Sequence, residues 1–440
     1  MFYDAHTINQ ELLSFIDESP VSFFAVRNMS RRLEEAGFTR LLETESWQLQ
    51  PGRAYYVTRN DSAIIAFRLP EGAPTGFQIM ASHADSPVFR IKTNAEITVN
   101  NAYVKLNVER YGGMLCAPWM DRPLSVAGRV MVQEDGATKT RLVNIDRDLL
   151  MIPNLAIHMD RTANDGHKFN AQVDMLPLFA QVSDAKDRFL SLIAQAAGTS
   201  SENILDTDLY LYNRMKGTFY GIDNEFIADS QLDDLQCAFS SLRGILDAAP
   251  SSAVAMHCVF DNEEVGSGTK QGADGTFLQD TMSRIREALG IDRQAFLSLL
   301  ASSFMVSADN AHSVHPNFPD KADPTNRPVM NKGIVIKYSA NQKYTTDAVS
   351  GALMRMICRK AGVPYQTFAN RSDLAGGSTL GNISQSHVSV NTVDIGLPQL
   401  AMHSPYETAG AKDTAYLAEA ARVFFSSAVK ADGRGNYQLL

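Results

Sequence analysis

Apolar residues recur at helical spacing over 7–18 and again over 20–36, where Gly37 supplies a plausible stop. Three strand-like runs follow: AYYVT at 54–58, AIIAFR at 63–68 and FQIMA at 77–81, the last leading straight into SHADSP. From about 96 to 216 the pattern changes to short strands such as 103–109 (YVKLNVE) and 124–133 (LSVAGRVMVQ), punctuated by Gly, Asn and Asp. That segment reads as β-rich. Beyond about 220, strands alternate with helical stretches. Helices are predicted over 232–248, 275–289, 345–361 and 414–430, and strands over 253–260, 304–308, 333–338 and 389–396. Such alternation predicts an α/β fold with a mostly parallel sheet flanked by helices. The economical arrangement is one discontinuous α/β domain, residues 1–95 and 217–440, with a β-rich domain inserted over 96–216.

Composition narrows the class without naming a chemistry. The 440 residues are 45% apolar and 20% charged, the balance of a globular protein with room for more than one core. A net charge of −9 argues against nucleic acid or an anionic membrane as the main partner. Neither a basic, apolar leader nor a run long enough to span a bilayer is visible, which predicts a cytoplasmic protein. Cys116, Cys237, Cys258 and Cys358 lack C-x-x-C spacing and read as reduced thiols.

Candidate chemistry gathers at predicted strand ends. His83-Ala-Asp85, Asp233-Asp234, Glu263-Glu264, Asp309-Asn310 and His403 each lie at or just beyond one. In open α/β sheets ligands bind outside the carboxyl ends of strands. Each of these residues alone has an ordinary reading as a solvated helix start, a surface pair or a packed histidine. Together they offer imidazoles and carboxylates suited to zinc, manganese or cobalt. Two adjacent ions need a bridging carboxylate and terminal ligands, and a further carboxylate must take a proton from water without itself binding metal. The pair Glu263-Glu264 fits that division of labour. In His83-x-Asp85 the carboxylate can fold back on the second ring nitrogen and fix the tautomer.

The strings ASHADSP, YGGMLCAPWMDRPLSVAGRV, IPNLAIHMDR, QLDDL, DNEEVGSGT, SADNAHSVHPN, IKYSANQKY, GGSTLG and PQLAMHS occur in that order across residues 14–428. In them the chain resembles the aspartyl aminopeptidase family of dinuclear zinc metallopeptidases. The resemblance implies His83, Asp309 and a bridging Asp233 as ligands of one ion, and Asp233, Glu264 and His403 as ligands of the other. It implies Glu263 as general base and acid, and Asp85 as the partner of His83. His158 resembles a histidine that reaches into a neighbouring subunit's active site. Lys337 and Tyr344 resemble positions that receive an acidic substrate side chain. By the same resemblance the inserted domain is a dimerisation domain, and the assembly is a homododecamer built from dimers. The substrates would be peptides with a free N-terminus, preferably beginning with Asp or Glu.

The chain departs from the family pattern in three places. Gln231 and Asp234 stand where Arg and Asn flank the bridging aspartate, Asp121-Arg-Pro123-Leu124 replaces DRDL, and SPYE follows His403 instead of a SIRE-like form. None of these removes a proposed ligand. Other histidines carry less. His312 and His315 flank Asp309 in sequence, His257 lies in an apolar strand, and His6, His167 and His387 have no motif around them. Gly376-Gly377-Ser378-Thr379 lacks the lysine and spacing of a phosphate loop and suits close backbone approach to a bound peptide. A related hydrolase of N-acyl amino acids or dipeptides would keep the same metal site. A silent shell protein would have lost ligands or base, and none of those positions is lost here.

Overall fold

The computed structural model describes residues 2–183 and 187–440. The chain divides into two compact units, one of residues 1–85, 217–402 and 407–440, the other of 86–216 and 403–406.

In the first unit, strands that read as unbroken apolar runs must be covered on both faces. They lie in a nine-stranded sheet whose order is Thr39–Leu41, Ala54–Arg59, Ala63–Arg68, Val254–Phe260, Phe77–His83, Phe304–Ala308, Asn391–Gly396, Ile334–Tyr338, Tyr365–Ala369. The central pairings, Val254–Phe260 with Phe77–His83, then with Phe304–Ala308 and Asn391–Gly396, are parallel. Ala63–Arg68 is antiparallel to both of its neighbours, and Ile334–Tyr338 is antiparallel to Asn391–Gly396, so the sheet is mixed. Alternate residues divide between two cores. Ile64, Ala66 and Met80 pack with Phe15, Met29, Phe239 and Phe424 from helices on one face. Ile65, Phe67, Ile79 and Ala81 pack with Phe277, Met282 and Ile285 on the other.

Local chemistry sets the helix ends. Asp347 caps Ala348–Ala361 through a reciprocal capping box with Ser350, and Gly362 ends it at φ 67°. Predicted helix 232–248 is observed as Leu232–Leu246, but Asp233 and Asp234 keep non-helical backbone angles behind a left-handed Gln231. His257 is a buried core residue with Nδ1 2.8 Å from Ser241 Oγ, and burial pushes its pKa down to about 3. All four cysteines are buried free thiols. A second, five-stranded sheet in this unit joins Thr218–Tyr220, Phe226–Asp229, Glu407–Gly410, Pro398–Leu400 and Ala311–His312. Among the described residues no helix is long and apolar enough to cross a membrane.

The second unit is a six-stranded antiparallel sheet in the order Ala137–Asn144, Leu124–Glu134, Ile204–Asn213, Val88–Val99, Tyr103–Tyr111, Leu178–Gln181, accompanied by the helix Arg188–Ala197. Its junction differs from the expected 95/96 boundary. Val88–Val99 is one continuous strand paired with Tyr103–Tyr111, so residues 88–95 cannot be separated from the β-rich sheet they help to build. Residues 403–406 also fold with this unit, a long-range return that no local pattern signals.

Phe89 and Trp119 meet edge to face at 5.2 Å between ring centroids, both almost fully buried in the core of the second unit. Phe89→Ala should destabilise that unit by ~3–5 kcal/mol, the usual cost of emptying a buried aromatic site. Urea denaturation followed by tryptophan fluorescence would show it, and a shift under ~1 kcal/mol would mean that the core closes over the gap.

Candidate metal centre

Register brings the polar strand ends of the first unit together. His83 is the last residue of its strand and pairs directly with Phe260 on the parallel neighbour. Just past Phe260 the chain turns through Asn262 at φ 63° into the short 3-10 turn Glu263–Val265, which Gly266 ends at φ 95°. Asn tolerates the left-handed conformation because its short polar side chain can bond locally. Here Asn262 Oδ1 accepts from Thr269 Oγ1 at 2.9 Å and Gln271 Nε2 at 2.7 Å. On the other side of the His83 strand, Asp309 follows Phe304–Ala308 immediately.

Adjacent carboxylates do different work at the start of Leu232–Leu246. Asp234 Oδ2 accepts the backbone N–H of His83 at 3.2 Å, whereas Asp233 Oδ1 lies 3.7 Å from His83 Nε2. The His83 ring is oriented from behind, with Nδ1 3.0 Å from the Asp85 carbonyl oxygen and 3.4 Å from Asp85 Oδ1. A carbonyl can only accept, so in neutral His83 the proton sits on Nδ1 and Nε2 presents its lone pair towards Asp233. Asp85 has a further task for which its spacing from His83 gives no signal. Its Oδ1 accepts from Glu263 N at 3.1 Å and its Oδ2 from Glu264 N at 3.2 Å, which clamps the turn carrying both glutamates.

Ligand-type atoms of His83, Asp233 and Asp309 lie within 4.8 Å of one another, and so do those of His83, Glu263 and Glu264. Nitrogen and carboxylate oxygen at such spacing form a donor set suited to zinc and its neighbours. Electrostatics points the same way. Burial first, then Asp309, Asp85 and Asp233, raises Glu263 to about 8, although nearby His83 works against the shift. Burial with carboxylate repulsion also carries Glu264 and Asp234 well above the usual range. A divalent cation is the partner that lets such crowded carboxylates ionise together.

Lys337 is only 3% exposed and does not end its strand in solvent. Its Nζ donates to Asn310 O at 2.8 Å and lies 3.5 Å from Asp309 Oδ1, with the Tyr344 ring centroid 5.5 Å away. Burial opposes its charge, but Asp309, Tyr344 and Asp394 hold its pKa above the ordinary lysine value. Two residues to which the sequence assigns no role also enter this network. Asn310 Nδ2 donates to Leu232 O at 3.0 Å, and Glu407 Oε2 accepts from Asp233 N at 2.9 Å. Their only sequence signal is their place beside Asp309 and in the SPYE string.

His403 and His158 belong to the second unit. His403 Nδ1 lies 2.7 Å from Gly113 O, which by the same argument leaves Nε2 as the lone-pair nitrogen of the neutral ring. His158 sits on an exposed loop beside Leu155, Ile157 and Met159, of which Met159 is 75% exposed. Asp121 holds the base of that loop by accepting from Asn154 N at 2.9 Å and Asn154 Nδ2 at 2.7 Å. Elsewhere His167 pairs with Asp174, His387 lies near Asp274, His315 accepts from Asn317 N, and the His312 ring sits 6.3 Å from that of Phe368.

Comparison with known proteins gives concordant matches. The family model for aminopeptidase I zinc metalloprotease (M18) matches residues 15–425. A probable M18 family aminopeptidase 2 of Clostridium acetobutylicum is 48% identical over 95% of this chain and 98% of its own length. Among solved structures, one of an Ape4 and Nbr1 complex superposes with a TM-score of 0.92 at 36% identity, covering 96% of this chain and 86% of that one. The mApe1 dodecamer of S. cerevisiae gives 0.83 at 27% identity, covering 94% and 95%.

The carboxylate crowd has a pH signature. Glu263 is raised from 4.5 to about 8, so between those values the folded, metal-stripped chain holds a proton that the unfolded chain has lost. Its stabilising contribution is complete below 4.5 and disappears as pH rises through about 8. Urea midpoints of chelator-treated protein should therefore fall across that window, and saturating zinc should flatten the fall. A stability that climbs with pH in the stripped protein would contradict this electrostatic picture.

Proposed function

The chain belongs to the aminopeptidase I zinc metalloprotease (M18) family, a class of hydrolases, and on that premise we propose that it removes N-terminal residues, preferably Asp or Glu, from peptides at a two-metal centre. The observation that carries the reading is the convergence of His83, Asp309, Glu263 and Glu264 from the carboxyl ends of parallel strands with Asp233 from the start of Leu232–Leu246. In this reading His83, Asp309 and Asp233 hold one ion, and Asp233, Glu264 and His403 hold the other. Zinc is the family's metal, with manganese or cobalt as substitutes the same donors accept.

Ions held there would supply a water whose pKa is lowered to about 7, and polarisation of the scissile carbonyl. Glu263 takes the proton of the attacking water and returns it to the leaving amine. That task needs a carboxylate held near the centre without being spent as a ligand, and the Asp85 clamp on the Glu263 and Glu264 N–H groups supports such a division. Lys337, with Tyr344, meets the acidic side chain of the substrate, since burying that charge is costly without a cation. His158 serves the active site of a neighbouring copy and helps hold the developing oxyanion. Its exposed apolar loop suits a surface covered on assembly. Growth to a homododecamer is supported by the likeness to the mApe1 dodecamer, and in this reading the β-rich unit forms the dimers from which it is built. A cytoplasmic location accords with the reduced thiols.

Glu263→Gln keeps the shape but cannot take a proton. It should lower kcat by at least ~100-fold with zinc content unchanged. Loss of metal from this variant would make Glu263 a ligand and reverse its roles with Glu264. Lys337→Met should cut kcat/KM for Asp- and Glu-initiated peptides by ~10–100-fold and spare Leu- and Ala-initiated ones. Equal losses on both classes would show that the ammonium acts through Asp309 and does not read the substrate.

A further inference from the structure

We propose that Glu407 is the positioning residue for the shared aspartate of the metal centre, setting zinc affinity through a hydrogen bond to the Asp233 backbone. The inference rests on the reading of Asp233 as a metal ligand and adds a residue that reading does not contain.

The first turn of Leu232–Leu246 creates the need. Gln231 is left-handed, and Asp233 and Asp234 lack helical backbone angles, so the carboxylate-bearing residue leads into the helix without belonging to its regular ladder. A helix start leaves backbone N–H groups without intrahelical partners, and a buried one is costly if unmet. Asp233 is 3% exposed, and its N–H is met by Glu407 Oε2 at 2.9 Å. Glu407 is itself 2% exposed and opens the strand Glu407–Gly410. That strand pairs with Phe226–Asp229 on one side and Pro398–Leu400 on the other. Glu407 itself pairs with Asp229 at the start of this inner strand, which ties the backbone of the acceptor to the five-stranded sheet.

A carboxylate accepting from a backbone N–H makes a short, strong bond, and near a helix start it also meets the positive end of the dipole. The separation is informative as well. Glu407 lies 174 positions from Asp233, so this is a tertiary constraint on a single backbone amide. From the opposite side, the Leu232 carbonyl is gripped by Asn310 Nδ2 at 3.0 Å. The two bonds fix adjacent residues, which leaves the Asp233 side chain little freedom except about its own χ angles. Outer partners of this kind orient ligands and commonly set metal affinity.

Zinc affinity of the purified full-length protein, measured by competition with a chromogenic chelator, tests the assignment. Glu407→Met fills similar space without a comparable acceptor and should weaken zinc binding by ~10–100-fold. Glu407→Gln retains a carbonyl acceptor and should stay within a few-fold of wild type. Asp233→Asn serves as the reference for damage to the ligand itself, and Glu407→Ala replaces Glu407→Met should the latter fail to fold. If the acceptor-free variant loses thermal stability yet binds zinc as wild type does, while Asp233→Asn binds weakly, Glu407 is structural and the proposal falls alone. Equal weakening in Glu407→Gln and Glu407→Met would place the effect in charge and overturn the hydrogen-bond role. Wild-type zinc affinity in Asp233→Asn would overturn the ligand reading and this inference with it.

Discussion

Repulsion among crowded, largely buried carboxylates governs the site of the first unit. Asp85, Asp233, Asp234, Asp309, Glu263 and Glu264 are drawn to neighbouring strand ends, where burial and mutual charge drive several of them towards the protonated form. No arrangement of apolar packing offsets that cost by itself. The surrounding polar network is the structural answer. Asp85 spends its oxygens on the N–H groups of the glutamate turn, Asp234 on the His83 backbone, and Glu407 on that of Asp233. Lys337 supplies the one buried ammonium beside Asp309 among the described contacts. Each bond removes some freedom from a carboxylate or its backbone, and the sum is a preset cluster of donor atoms of a kind that could hold a cation.

Such preorganisation depends on stiff supports. His83, Asp309, Glu263 and Glu264 follow from the central parallel strands, which are covered by helices on both faces and cannot shift singly without breaking two ladders, while Asp233 and Asp234 come from the start of Leu232–Leu246. Short turns then do the fine aiming. Left-handed Asn262 and Gly266 bracket Glu263 and Glu264, and left-handed Gln231 delivers Asp233. The β-rich unit has a separate core around Phe89 and Trp119 and carries the exposed His158 loop. A loop that displays Leu155, Ile157 and Met159 to solvent is a poor end state for a lone chain and a reasonable one for an assembly.

Much of this was open to reading along the chain. Hydrophobic periodicity located the main strands and helices because period 2 and period 3.6 follow directly from backbone geometry. AIIAFR announced a strand, and the GGMLCAPWM, DNEEVGSGT and SADNAHSVHPN strings pointed to the family. The types and order of the candidate ligands were visible for the same reason: imidazole and carboxylate are what such metals need, and these stand at strand ends.

Tertiary structure alone decided the rest. The domain junction moved to Asp85 because Val88–Val99 is a single strand, and strand pairing is a property of partners distant in sequence. His403 joined the second unit through Gly113 and Leu115, a return spanning nearly three hundred positions. Lys337 is buried against Asp309 and Asn310, which come from a different strand end, and nothing in its own stretch of sequence signals that contact. Nothing near Asp85 foretells its hold on Glu263, and nothing near Glu407 foretells its hold on Asp233. Residue type and local period are written in the order of amino acids and so determined the elements and the kind of chemistry. Which carboxylate faces the cluster of donor atoms and which faces a backbone amide is a matter of through-space distance, and only the folded chain sets it.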